Sequence, residues 1–119
     1  MKNLEDIHQY CLAKAGVEED FPFDEDTLVF KVGGKIFLLV NLEKTPTFVN
    51  LKCDPELAVD LRAQYPAVKP GYHMNKRHWN SVYLDGHFSN QEFRSWIDNS
   101  YDLVVQKLTK AKRKELGLS

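Results

Sequence analysis

The residues best suited to chemistry in this chain are crowded into Pro70–Gly86, which reads PGYHMNKRHWNSVYLDG. Tyr72, His73, Lys76, Arg77, His78, Trp79 and Tyr83 lie here with a single carboxylate, Asp85, and from Arg62 to Leu84 there is no Asp or Glu at all. Cations attract phosphates and flat rings stack on bases. A tract that alternates the two without acids therefore suits a surface that meets nucleic acid. On this reading Lys69, Lys76 and Arg77 contact phosphates, His73 and His78 hydrogen-bond to backbone or base edges, and Tyr72 or Trp79 stacks on exposed bases. A structural role competes with it. Trp79, Ser81 and Tyr83 share one strand face by period two, and Val82 and Leu84 the other, so at least one of these aromatics is expected to be buried.

Three further groups could do chemistry. The basic end Lys107–Lys114, with Lys107, Lys110, Lys112 and Arg113, either extends a DNA footprint or complements the dipole of the last helix. The segment Glu18–Asp26 holds six carboxylates, which hard cations favour. It has no EF-hand spacing and Phe21-Pro22-Phe23 interrupts it, so a solvated connection is expected rather than a metal site. Cys53 with His73 or His78 would make a nucleophile and base. A lone Cys at a strand end is more often a small buried hydrophobe, and GxSxG, HExxH, Walker and GxGxxG patterns are all missing. No catalytic residue, metal or cofactor is expected.

These groups must be positioned by one modest domain. The chain has 119 residues, 43% of them hydrophobic and 28% charged, which suits one globular core spanning 1–119. The longest apolar run, Ile36–Val40, is far too short for a membrane span, and the acidic start Met1–Asp6 does not read as a signal peptide. Cys11 and Cys53 form no CxxC pair, so a reduced, cytoplasmic protein is expected, without membrane attachment. The net charge of −1 hides a division: residues 1–30 carry eight acids against Lys2 and Lys14, and the remainder is net basic. An overall pI near 6.4 argues against strong nonspecific DNA binding.

Leu4, Ile7, Cys11, Leu12 and Ala15 recur at helical spacing, with Asn3 as cap and Gly16 as stop. Thr27–Val32 and Lys35–Asn41 read as strands joined by a Gly33-Gly34 turn. Simple pairing across it sets Phe30 beside Phe37 and Leu28 beside Leu39 on one face, and Val29 and Leu38 on the other. Thr47–Lys52 is a third strand. Asp54-Pro55-Glu56 starts a helix that carries Leu57, Leu61 and Tyr65 inward and ends at Pro66. An extended piece at Val68–Met74 and a strand at His78–Leu84 follow. Ser89 and Glu92 form a capping box for a last helix with Phe93, Trp96, Ile97, Tyr101, Val104, Val105 and Leu108 on one stripe, its end running into Lys107–Lys114. The order α-β-β-β-α-β-β-α describes an α+β domain, two layers with helices on one face of an antiparallel sheet.

FPFD (Phe21–Asp24), FKVGGKIFLLV (Phe30–Val40), VNLKCDPELA (Val49–Ala58) and PGYHMNKRHWNSVYLDG together resemble the MmcQ/YjbR-like family of small bacterial proteins, from about Asp6 to Lys110. The resemblance implies a fold similar to type III secretion chaperones and to frataxin-like CyaY proteins. It also implies a "double wing" DNA-binding arrangement, and it brings no catalytic residues with it. The expected function is that of a non-catalytic, cytoplasmic DNA-binding protein. The alternative is a protein-interaction or chaperone-like domain that uses an exposed sheet face, as a homodimer or with another protein.

Overall fold

The computed structural model describes residues 3–118. Asn3 opens α1 (Leu4–Leu12), its side chain accepting the Asp6 N–H at 2.9 Å, and Ile7 and Cys11 turn into the core. Gly16 then takes the left-handed conformation, with φ 73°. The acidic segment expected to be a connection begins instead as a strand, β1 (Val17–Asp20), paired antiparallel with β2 (Thr27–Val32). Charges are tolerated there because β1 is an edge strand, where they deter pairing with other chains. They are also partnered: Asp20 meets Lys31 at 2.9 Å and Glu19 meets His8 at 2.7 Å.

The Gly33-Gly34 turn forms as expected, with φ 59° and 81°, and leads into β3 (Lys35–Asn41). The register departs from simple pairing. Phe30 faces Leu38 and Lys31 faces Ile36, so Phe37 is an extra residue in β3 and Leu28 faces Val40. The physical reason is burial of Phe37. Its ring meets Tyr101 edge-on at 5.4 Å, and its carbonyl accepts the Ser100 hydroxyl at 2.5 Å. The bulge sends Leu38 to the helices and Leu39 to the opposite face, the reverse of the expected arrangement.

β4 (Phe48–Lys52), α2 (Pro55–Gln64), β5 (Val68–Pro70) and β6 (Trp79–Tyr83) complete a six-stranded antiparallel sheet in the order β1-β2-β3-β4-β6-β5. Asp54 caps α2 as expected, but Ala58 and Leu61 face inward while Leu57 is at the surface. Small Ala58 lets the helix approach the sheet, and the Asn80 amide donates to the Ala58 carbonyl at 3.2 Å, which fixes that rotation.

In α3 (Asn90–Gln106) both halves of the Ser89/Glu92 capping box are made, and Phe93, Trp96, Ile97, Tyr101 and Val104 are buried. The basic end does not continue α3. Leu108 tucks against Gly33, and Thr109 caps a separate short helix, α4 (Lys110–Glu115), whose end places Leu116 beside Gly16. The order is therefore αββββαββαα, with β1 and α4 added to the expected elements. One core lies between the helices and Leu28, Phe30, Leu38, Val40, Val49, Leu51 and Val82. No helix among the described residues is long and apolar enough to cross a membrane.

Candidate nucleic-acid interface

On the face away from the helices, pairing lines up Val29, Leu39, Asn50, Ser81 and Lys69 across five strands. All but Lys69 are buried. Part of what covers them is the basic-aromatic tract itself, which is a strand only as far as Pro70 and then folds back over the sheet. Asn50 and Ser81 direct this. The Ser81 hydroxyl accepts the Tyr72 N–H at 2.9 Å and donates to the Asn50 carbonyl oxygen, while the Asn50 amide donates to the Tyr72 carbonyl at 3.2 Å.

The rest of the loop is tied as closely. Lys76 Nζ donates to the Gly71 carbonyl at 2.8 Å, an Arg62 guanidinium N–H donates to the Lys76 carbonyl at 2.8 Å, and Asn75 accepts the Arg77 and His78 N–H groups. His73 sits at φ 58°, a conformation that costs a non-glycine residue about 1–2 kcal/mol and that these bonds hold in place. The loop is thus preorganised, and little ordering is needed when it meets a ligand.

Gly71 permits the fold-back. A Cβ there would lie 2.8 Å from Trp79 Cβ and 2.9 Å from the Trp79 carbonyl oxygen. Gly71→Ala should lower the unfolding free energy by about 1–3 kcal/mol through overpacking. Urea unfolding checks this, and an unchanged midpoint contradicts the tight approach of loop to strand.

Lys69, Tyr72, His73, Lys76, Arg77 and His78 are all exposed, whereas Trp79 is half-buried. None of Lys69, Lys76 and Arg77 makes an ion pair with a carboxylate among the described residues. Two cations missed in the linear reading join the aromatics: Lys44 Nζ lies 4.1 Å from the Tyr72 ring centre, and Lys52 Nζ 6.0 Å from that of Trp79. Lys52 and Trp79 are directly opposite in β4 and β6, a neighbourhood visible only once the strand order is known. Burial holds the Lys52 ammonium below the usual lysine range, and Lys107 and Lys35 push the same way.

The basic end is divided. Lys107 belongs to the Lys52 neighbourhood, but α4 runs to Gly16 at the head of edge strand β1. Lys69 stands on the other edge strand, β5, and five strand spacings set the two edges about 24 Å apart. The fold does not join Lys110, Lys112 and Arg113 to Lys69 in one continuous patch. Lys112 is also paired with Glu115 at 3.7 Å.

Cys53 is buried, and burial, with Asp54 adding to it, pushes its thiol up to about 11, so it is protonated at neutral pH. Its contact with His78 is through the backbone, the Cys53 N–H donating to the His78 carbonyl at 2.7 Å. In the acidic segment Asp24 accepts the Asp26 and Thr27 N–H groups, and these bonds hold its carboxyl below the usual range. No three His, Cys, Asp or Glu side chains converge as metal ligands among the described residues.

A family model described as YjbR matches residues 12–103. Among similar proteins, YbdF of Escherichia coli is 44% identical over 100 residues, covering 84% of this chain and 82% of that one. YjbR of Escherichia coli is 38% identical over 113 residues, covering 95% and 96%. The crystal structure of a Deinococcus radiodurans protein superposes with a TM-score of 0.93 at 41% identity, covering all of this chain and 91% of that one. A crystal structure from Pseudomonas syringae gives a TM-score of 0.75 at 30% identity, covering 86% of this chain and 98% of that one.

Proposed function

The chain belongs to the YjbR family, and we propose that it is a cytoplasmic DNA-binding protein that acts through its basic-aromatic loop without catalysis. One observation carries the reading. Lys69, Lys76, Arg77 and Tyr72 are exposed on or beside a single preorganised loop, with no carboxylate among them. Lys69, Lys76 and Arg77 neutralise phosphates, Tyr72 supplies the accessible ring, and His73 and His78 supply hydrogen bonds. Trp79 backs the surface from beneath, and Lys107 widens it beside Lys52. Lys110, Lys112 and Arg113 provide a separate basic site. The double-wing arrangement expected from the family resemblance belongs to this reading as well.

Fluorescence anisotropy with labelled single-stranded and duplex DNA at low and physiological salt tests it. Micromolar or tighter binding at low salt that weakens steeply with salt is expected, since each neutralised phosphate releases counterions. No binding at low salt overturns the reading.

A second reading, a protein-interaction or chaperone-like domain that also self-associates, is favoured by Phe21 and Phe23, exposed at 45% and 64% on the β1–β2 connection. It expects a salt-insensitive dimer in sedimentation velocity that Phe21→Ser/Phe23→Ser dissociates. A monomer at every concentration contradicts self-association.

A further inference from the structure

Between the folded-back loop and the β1–β2 connection lies a cleft of about 340 Å³. That is within the range of small-molecule sites, which begins at about 300 Å³. Ile36 lines it by simple pairing with Lys31, Leu39 because the Phe37 bulge turns it to this face, and Phe48, Tyr72, Met74 and Trp79 add to its apolar lining. Lys44 is the one charged residue in the lining, and no carboxylate is present.

The polar groups of this lining offer more free donors than free acceptors. The Asn50 carbonyl oxygen is taken by the Ser81 hydroxyl, and the Asn41 carbonyl oxygen by the N–H groups of Glu43 and Lys44. The Thr27 hydroxyl is engaged with Asp24 at 3.2 Å. Donors remain for a ligand in the Lys44 ammonium, the Trp79 indole N–H, the second Asn50 amide proton and the Asn41 amide, while the Tyr72 hydroxyl and the His73 imidazole can donate or accept. An aromatic and aliphatic lining suits a planar aromatic body, and one cation with several free donors and no carboxylate suits an anionic acceptor on it.

We infer that the cleft binds a small planar aromatic carboxylate, its ring between the aromatic and aliphatic lining and its carboxylate toward Lys44. Tyr72, His73 and Trp79 serve both this lining and the proposed DNA surface, yet the cleft can take its ligand whether or not the chain binds DNA.

Calorimetry with 1-naphthoate and its neutral counterpart 1-naphthamide tests the inference on the full chain. One naphthoate per protein is expected, bound at least tenfold more tightly than the amide, the scale of a charge-assisted hydrogen bond. Lys44→Met should remove that preference; Lys44 is exposed, so the variant folds. Leu39→Trp should fill the cleft and abolish both ligands, and Ile36→Trp provides the same block from a less buried position. No naphthoate binding at millimolar concentration, equal binding of acid and amide, or naphthoate binding unchanged in folded Leu39→Trp or Ile36→Trp would overturn the assignment.

Discussion

Replacing Lys76 and Arg77 together by glutamate should weaken DNA binding by at least about 60-fold on a duplex and about 25-fold on a single strand at 0.1 M salt. The figures follow from the counterion slope, about 0.9 per phosphate on duplex and 0.7 on single strands, applied to two lost contacts. Reversal adds repulsion to the loss, so they are lower bounds. The slope of log affinity against log salt should itself shrink by about 1.8 or 1.4. The fold should survive, because Lys76 and Arg77 are exposed and the double variant removes only the Lys76 Nζ bond to the Gly71 carbonyl, leaving those made by Asn50, Ser81, Asn75 and Arg62. Anisotropy titration of the double variant across a salt series measures both quantities. Unchanged affinity in a folded variant would mean that these cations are merely solvated.

Phe37→Ala should cost about 3–5 kcal/mol of unfolding free energy, the range for emptying a large aromatic site in a core. Phe37 is fully buried, and its ring contacts Phe30 and Tyr101. It also carries the β3 bulge, so its loss removes the reason for Leu38 to face the helices and Leu39 the cleft. Chemical denaturation gives the free energy. A cost below about 1 kcal/mol would show that the bulge is held by something other than the burial of this ring.

What could be read from the chain, and what could not, divides by range. The Asn3, Asp54 and Ser89 caps and the Gly33-Gly34 turn were legible because each is settled within a few residues. So was the apolar stripe of α3. The Phe37 bulge was not, because the choice between Leu38 and Leu39 for the helix side depends on how Phe37 meets Ser100 and Tyr101, more than sixty residues away. β1 was hidden because an edge strand needs few apolar residues, and VEED offers only Val17. The tract could be recognised as basic and aromatic, yet its return over the sheet depends on Asn50 and Ser81, two small polar residues unremarkable in sequence. The same return buries part of Trp79, leaving Tyr72 as the exposed ring. The basic end was recognisable as cationic, but its course was not, because Leu108 and Thr109 break the helix and lead α4 toward Gly16 at the other edge.

The central claim is that the loop from Lys69 to His78 is where the chain meets DNA. Backbone amide NMR of the full chain, titrated with a short oligonucleotide at low salt, tests it most directly. The account predicts progressive shifts at Lys69, Tyr72, His73, Lys76, Arg77 and His78, with smaller ones at Lys52 and Lys107, all reversed by added salt. Shifts confined to Lys110–Glu115, or none anywhere at low salt, would contradict it.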